Sequence, residues 1–473
     1  MAGTFLIGES KTRPGVYYRR ERAGYSVEGA TNGILACIFQ SNWGVLNKEF
    51  DVDQTMLNDL EDYYGEGATI IREGLLGGAT TVRCVRVGGE GGTCSSVILK
   101  TASSGETQGT NAVEISAKYE GNRSFTASVR TNLITDKRQL IIYDGTEIFT
   151  SVEFDSGTDE AANLVAAMAN NRHFTARKIA AGVLADVTQA PLTGGTNPTV
   201  TTASYDKGTN VLERYRWNCI VADSDDAAVS GILNSFVKQS YETGHLGFAC
   251  IAGKSSQDLE TRMSYAASCN DEKIVYVLNG WTANDGKVYD GWRAAARIGG
   301  MIAGCETNVS LTHDVISNAL ELIEPLTNGE IIRAEQKGCL VLSLNDSDQV
   351  WIDNAITTLV TEGSEMDAGW KKIRRTKCRF ELMDRINRTH DRLVGNINND
   401  YNGRATVVAA AQRIINEMIG EGKLVSGSYV EEDPAHPAEG DCAWFKLHIL
   451  DYDSMEKIYL TYVFRYNQTF DAA

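Results

Sequence analysis

Four short and almost entirely apolar segments constrain the fold of this chain more than any other feature. In chain order they occupy residues 217–222, 246–251, 274–278 and 340–344, and the stretches at 226–241, 256–268 and 291–303 have helical patterns. A strand that is apolar on both faces is buried on both faces, as in a parallel sheet covered by helices. The sequence therefore predicts an α/β domain over residues 201–348.

Residues 94–200 have the pattern of a different domain. Short strand-like runs recur at residues 96–100, 112–118, 125–130, 138–143 and 146–154. The dipeptide Asp144-Gly145 between the last two runs is a strong hairpin signal. Closely spaced strands with turn signals between them are typical of a small sandwich. We therefore predict a β-sandwich domain here.

The remaining segments complete an α+β multidomain protein with extended arms. We predict an N-terminal arm at 1–25 and an N-terminal α/β part at 26–93, with an apolar strand at 33–39 and a helix around 53–64. A C-terminal domain follows at 349–456, with helices at 349–361, 378–394 and 405–419 and a strand at 443–449. The last segment, 457–473, is predicted to be a C-terminal arm that contains a strand.

Both predicted arms contain side chains suited to strand pairing. In the N-terminal arm these are Val16, Tyr17 and Tyr18, which follow the turn-forming Pro14-Gly15. In the C-terminal arm, alternation places Ile458, Leu460, Tyr462 and Phe464 on one face of a strand. A strand of this kind so close to a terminus must pair with its own chain or with another chain.

Composition and charge exclude several classes of protein. Of the 473 residues, 42% are hydrophobic and 23% are charged, as in ordinary globular domains. The net charge of −17 repels nucleic acid and anionic membranes. The N-terminal residues lack a signal-peptide pattern, so we expect the chain to fold in a cytoplasm. Its 10 cysteines are scattered without a C-x-x-C pair, and we interpret them as reduced core residues.

Candidate chemical motifs are few. Residues 247–255 imitate a phosphate-binding loop, but five residues separate the first glycine from the Gly-Lys pair where the loop needs four. We interpret them as a strand and a turn, with Ser255 capping the next helix. His173, His245 and His313 are the only histidines available for a hydrolase triad in the first two domains, and no G-x-S-x-G motif accompanies them. We expect no catalytic residue, no cofactor and no metal site.

Seven motifs in a fixed order give the chain a family resemblance. They are RPGVYY (13–18), AKYEGNR (117–123), LTGGT (192–196), AAARIGGMIAG (294–304), WIDNAITTL (351–359), RFELMDRIN (379–387) and GNINNDYNGR (395–404). Each motif alone has little specificity, but together they span about 400 residues. In this respect the chain resembles the tail sheath proteins of contractile phage tails, R-type bacteriocins and related contractile injection systems.

The resemblance implies a fold and a function. The α/β domain is expected to resemble the subtilisin scaffold without its catalysis, the C-terminal domain to face a tube, and both arms to add strands to neighbouring subunits. The protein is expected to form stacked hexameric rings around an inner tail tube and to contract. Its partners would be itself, the tube protein and the baseplate and terminator proteins, without direct nucleic-acid contact or stable membrane association. Assembly in a bacterial host cytoplasm, into a phage tail or a released particle, is implied too.

One basic run stands out from the acidic remainder of the chain. The basic segment, residues 371–379, carries Lys371, Lys372, Arg374, Arg375, Lys377 and Arg379 and no acid. It is either a solvated helix face or a contact to an acidic tube or to an acidic patch of the next subunit. Two alternative functions stay open: the sheath of a bacterial secretion system, and a cytosolic α/β enzyme.

Overall fold

The computed structural model describes residues 3–4, 17–18, 32–103, 109–361, 363, 366–462 and 464. The chain divides into two units, Met1–Ala30 and Thr31–Ala473. In the first unit, strand β1 (Gly3–Thr4) pairs in parallel with strand β2 (Tyr17–Tyr18). The elements that follow belong to the second unit.

The segment before the β domain contains strands and short helices. Its elements are β3 (Ile34–Phe39), β4 (Glu49–Asp53), α1 (Leu60–Tyr64), α2 (Thr69–Leu76) and β5 (Thr81–Arg86). The predicted strand at 33–39 is confirmed, but the helix predicted around 53–64 is reduced to α1. Strand β4 extends to Asp53, and the Asp53 carboxylate accepts the Thr55 N–H at 2.8 Å. This bond caps a 3-10 turn at Gln54–Met56, and the α-helix begins only at Leu60.

The five strands predicted in the β domain are present. Its elements are β6 (Ser96–Lys100), β7 (Asn111–Ala117), β8 (Phe125–Thr131), β9 (Arg138–Asp144), β10 (Glu147–Phe154), α3 (Glu160–Met168), β11 (Phe174–Lys178) and β12 (Val187–Pro191). They form two sheets, ordered β10-β9-β8-β12 and β11-β7-β6. Val113 and Ile115 of one sheet and Phe125 and Leu140 of the other belong to one buried core, which also takes in Trp43.

The α/β elements alternate as the sequence predicts. They are α4 (Thr202–Leu212), β13 (Cys219–Ala222), α5 (Ala227–Glu242), β14 (Phe248–Ala252), α6 (Leu259–Cys269), β15 (Ile274–Val277), β16 (Trp281–Ala283), β17 (Val288–Tyr289), α7 (Trp292–Gly304), β18 (Ala319–Leu322), α8 (Asn328–Gln336), β19 (Cys339–Leu340) and β20 (Leu342–Leu344). The helix at 256–268 begins at Leu259, because Asp258 and not Ser255 caps it.

The central sheet has seven strands in the order β19-β15-β14-β13-β3-β5-β4. Its neighbouring pairs are parallel, except that β4 runs antiparallel to β5. Leu35, Cys37 and Phe39 point to the core that contains residues of α2 and α7, whereas Ala36 and Ile38 point to a core on the other face. Both faces are therefore covered, which explains why the strands are continuously apolar.

The C-terminal part begins with a strand. Its elements are β21 (Val350–Ile352), α9 (Ile373–Asp391), α10 (Tyr401–Gly420), β22 (Tyr429–Glu432) and β23 (Phe445–His448). The helix predicted at 349–361 is wrong, because the β-branched Val350 and Ile352 are buried in β21 and pair with β20. Helices α9 and α10 share a core that includes Cys378, Leu382 and Ile415. All ten cysteines are free, and Cys94 and Cys442 are exposed.

Candidate functional site

The C-terminal segment that follows Glu456 exposes a run of large apolar side chains. The exposed fractions of Ile458, Leu460, Tyr462 and Phe464 are 67%, 69%, 72% and 89%. Over residues 452–462 and at 464 the backbone forms neither a strand nor a helix. Contiguous apolar side chains that stay exposed in their own chain indicate a contact surface for another molecule. The described residues of this arm thus form no strand within their own chain, and a strand formed against another subunit stays a prediction. Residues 463 and 465–473 lie outside the described part.

The hairpin that precedes this segment has room for one further strand. Strand β22 pairs with β23, and the two form a two-stranded sheet. The outer edge of β22 is covered by α10, because the Val430 N–H donates to the Gln412 side chain at 3.2 Å. Within the described residues the outer edge of β23 is therefore the one that can accept a strand. Free backbone N–H and C=O groups at a sheet edge can bind an added strand. The side chains of Tyr429 and Leu447 in this hairpin are also exposed, by 45% and 36%.

Of the three residues predicted for strand pairing in the N-terminal arm, two lie within the described part of the chain. Tyr17 and Tyr18 form β2, in agreement with an extended conformation. Val16 lies outside the described residues. The partner of this arm in an assembly therefore stays a prediction.

Lys377 of the basic segment lies in the interior. Its side chain is only 4% exposed, and its ammonium donates to the carbonyl oxygen of Ile302 at 2.5 Å and to that of Cys305. These carbonyls lie at the end of α7, where the last turn of a helix leaves C=O groups without intrahelical partners. Lys377 thus satisfies the end of α7 and fastens α9 to it.

Arg379 and Lys371 occupy the two ends of the basic segment. The Arg379 guanidinium donates to Glu272 at 2.8 Å and lies 4.0 Å from the centre of the Trp370 ring. Lys371 is half-buried, and its backbone carbonyl accepts the Thr357 N–H at 2.7 Å. Arg379 is thus an internal ion-pair partner and not a solvated cation.

Lys372, Arg374 and Arg375 contact the chain just before the exposed arm. Their acceptors are Asp451, Tyr452, Asp453 and Glu456. Neither sequence interpretation of the basic segment included these contacts, because nothing local in a sequence pairs two segments about 80 residues apart. The available signal was three acids within residues 451–456, directly before an apolar run. Contact of the basic segment with a tube or a neighbouring subunit stays a prediction.

The three histidines considered for hydrolysis pack against three different aromatic residues. His245 stacks on Trp217 at 4.5 Å, His313 stacks on Trp351 at 3.9 Å, and His173 lies 5.2 Å from the ring of Phe149. Burial lowers the pKa of His245. Aromatic stacking explains these histidines as packing residues.

The half-buried carboxyl group of Asp223 lies where β13 ends, beside the end of the neighbouring strand β3. Asp223 accepts the Tyr205 hydroxyl and the Gln40 N–H, each at 2.7 Å. Burial raises the pKa of Asp223 to about 6. Among the described residues, no group of three or more His, Cys, Asp and Glu side chains is placed to hold a metal ion. The described helices include none with the length and apolarity to cross a membrane.

The architecture defines a class of protein before any comparison: a doubly wound α/β core, a β domain inserted into it, and a terminal segment with apolar residues exposed to other molecules. Within this architecture, residues 199–358 match the family model of the phage tail sheath protein central domain. The resemblance to tail sheath proteins is thus confirmed, and residues 199–358 carry the family match.

Solved structures extend the similarity over the remaining parts of the chain. The sheath tail protein of Desulfitobacterium hafniense has a TM-score of 0.70 at 18% identity and covers 93% of this chain and 100% of its own. That of Listeria innocua has a TM-score of 0.66 at 20% identity, covering 89% and 95%. The contracted helical sheath of the anti-feeding prophage has a TM-score of 0.54 at 9% identity, covering 96% and 99%. In sequence, the protein YqbK of Bacillus subtilis is 23% identical over 391 residues, 77% of each chain. The mixed α+β multidomain fold is thus that of sheath proteins.

Proposed function

We propose that this chain is the structural subunit of a contractile tail sheath. Protomers stack as hexameric rings around an inner tail tube, and contraction drives the tube through the envelope of a target cell. The observation that carries the proposal is the exposure of Ile458, Leu460, Tyr462 and Phe464 in a chain that matches the tail sheath central domain. An added strand is held by main-chain hydrogen bonds, which can persist while the domains that it joins rotate.

The proposed role requires no catalysis by the α/β domain. We regard residues 201–348 as a relative of the subtilisin scaffold that lacks catalysis. Similarity to the fold of an enzyme does not by itself imply the chemistry of that enzyme. The packing of His173, His245 and His313 against aromatic rings supports a structural role for these residues. The energy for contraction is then stored in the lattice and not taken from a nucleotide.

The proposal also names partners and a location. The partners are further copies of this chain, the inner tail tube protein and the baseplate and terminator proteins. DNA in a tail runs inside the tube, so direct nucleic-acid contact is not part of the proposal, nor is stable membrane association. The similarity to a sheath determined in its contracted helical form supports self-assembly. The domain at 349–456 faces the tube, and assembly takes place in the bacterial host cytoplasm, into a phage tail or a released particle.

Truncation tests the role of the arms. Deletion of residues 1–25, or of residues 459–473, is expected to leave a folded monomer that cannot polymerise. Folding is measured by circular dichroism, and polymers by sedimentation and negative-stain electron microscopy. Normal tubes from either truncated chain would show that strand exchange is wrong for that arm. A full-length chain that stays a catalytically active monomer would contradict the sheath proposal itself.

Contact of the basic segment with the tube needs a separate variant. Arg374 and Arg375 are unsuitable, because they hold residues 451–456 of the same chain. Lys371→Met is therefore the variant of choice, and Arg413→Met, in an exposed pair with Glu417, is the control. Lys371→Met alone is expected to weaken assembly on the tube at low salt, and the difference should vanish at high salt. Equal assembly of both variants at low salt would contradict the tube contact.

A further inference from the structure

Three cations of the basic segment hold the six residues that precede the exposed arm. The Arg375 guanidinium forms two parallel hydrogen bonds with the Asp451 carboxylate, each of 2.8 Å. The Lys372 ammonium lies 2.9 Å from Asp453 and 2.8 Å from Glu456. Arg374 donates to the carbonyl oxygen of Tyr452. The backbone between residues 451 and 456 is thus attached to the start of α9 at four points.

Two of these contacts, Arg375 with Asp451 and Lys372 with Glu456, are shielded from water, whereas the Asp453 side chain is 41% exposed. The side chains of Arg375, Asp451 and Glu456 are only 11%, 14% and 15% exposed. Glu456 also accepts the hydroxyls of Ser310 and Thr312, at 3.1 and 3.2 Å. Each residue from 457 to 462 is exposed. Charge-assisted, partly buried pairs hold a segment better than exposed pairs do. The attached part of the chain therefore ends at Glu456.

We infer that Lys372, Arg374 and Arg375 form an anchor that fixes the point from which the C-terminal arm leaves the protomer. They are positioning residues. The arm itself binds a second copy of this chain, and the anchor sets the direction and the reach of the arm. This inference rests on the proposed donation of the arm to another subunit. An arm that starts from an ordered base loses less conformational entropy on binding than one with six more free residues.

Cleavage by a glutamate-specific protease tests the anchor on the full-length monomer. Cleavage after Glu456 is expected to be slow in the native chain and at least about tenfold faster in Lys372→Met/Arg375→Met, because the site must leave its contacts to enter the protease. The variant Asp451→Asn/Asp453→Asn removes the acidic partners of the same pairs and should accelerate cleavage after Glu456 to a similar degree. Chymotryptic cleavage at the exposed Tyr459 should not change, and Arg413→Met is the control. Equal rates after Glu456 in the native chain and in either folded variant would overturn the anchor.

Assembly separates this inference from the proposal beneath it. With the anchor removed, the concentration needed for polymerisation is expected to rise about tenfold, as a less ordered base raises the entropic cost of binding. If the native chain polymerises and both folded variants polymerise at the same concentration, the anchor is refuted and the sheath role stands. If the native chain does not polymerise, the sheath role fails, while the cleavage rates still decide whether residues 451–456 are held.

Discussion

The exposed face of the C-terminal arm gives a prediction that depends on a single side chain. Leu460 is 69% exposed in the protomer, so Leu460→Ser should change the free energy of unfolding of the monomer by less than about 0.5 kcal/mol. In a donated strand, Leu460 shares the covered face with Ile458 and Tyr462. Replacing a leucine that becomes buried costs about 2 kcal/mol, which corresponds to about a 30-fold weaker equilibrium constant per subunit joined.

The assay is the critical concentration for polymer formation, measured by sedimentation and checked by electron microscopy. Tyr459 supplies the matched control, because it is 89% exposed and falls on the opposite face of the predicted strand. Tyr459→Ser should raise the critical concentration less than about threefold, since a residue on the solvent side loses little buried area. Both variants should unfold at the same denaturant concentration as the native chain.

Two results would refute this reasoning. Equal effects of Leu460→Ser and Tyr459→Ser would mean that the arm does not pack as a pleated strand with one covered face. An unchanged critical concentration in Leu460→Ser would mean that the apolar face of the arm is not buried in the polymer at all. A loss of monomer stability would instead place Leu460 in the folded core, against its exposure.

Three further predictions concern the protomer. A Cβ on Gly300 of α7 would lie 2.2 Å from the carbonyl oxygen of Gly74 in α2, so Gly300→Ala should cost about 1–3 kcal/mol in urea unfolding, whereas Gly231→Ala in α5, with no atom within 4 Å, should gain up to about 1 kcal/mol. Arg297→Met leaves the buried Glu73, 2.7 Å from Arg297, without its partner and should lower the free energy of unfolding by about 3–5 kcal/mol. Arg333→Met breaks an exposed pair and should lower it by less than about 1 kcal/mol. Thermal unfolding compares the two variants. The pKa of Asp223 is raised to about 6 in the folded chain, so the folded state binds a proton more tightly than the unfolded state does. The free energy of unfolding should therefore rise as the pH falls from 7 to 5, and this increase is lost above about pH 6. Asp223→Asn should remove this part of the pH dependence of urea unfolding.

Local patterns were sufficient for the strands of the central sheet but not for their arrangement. Continuous apolar runs predicted β13, β14 and β15, because a strand covered on both faces needs apolar side chains on both. The parallel pairing of β3 with β13 joins residues about 180 positions apart. Such pairing is decided by packing across the whole domain, and no local signal indicates it. The domain boundaries drawn from the sequence stay predictions.

In the β domain, prediction succeeded where turn chemistry was explicit. Asp144-Gly145 predicted the β9–β10 hairpin, and Gly145 has the positive φ, +59°, that such a turn needs. Strand β12 gave no comparable signal, since its register shifts between Val187 and Ala190 and Gln189 has a positive φ. A bulge breaks the alternation on which sequence-based strand prediction depends.

The basic segment shows what the sequence pattern and the three-dimensional contacts each contribute. Composition left two interpretations open for Lys372, Arg374 and Arg375: a solvated helix face, or a contact to an acidic tube or to an acidic patch of the next subunit. In the structure the partners come from the same chain, just before the apolar run that begins at Ile458. Salt weakens the more exposed Lys372–Asp453 pair more than the shielded Arg375–Asp451 pair, and it affects main-chain strand pairing least. In the proposed sheath, the charged anchor and the apolar strand can therefore be perturbed separately: salt should loosen the base of the arm within a protomer before it separates the subunits that the strand joins.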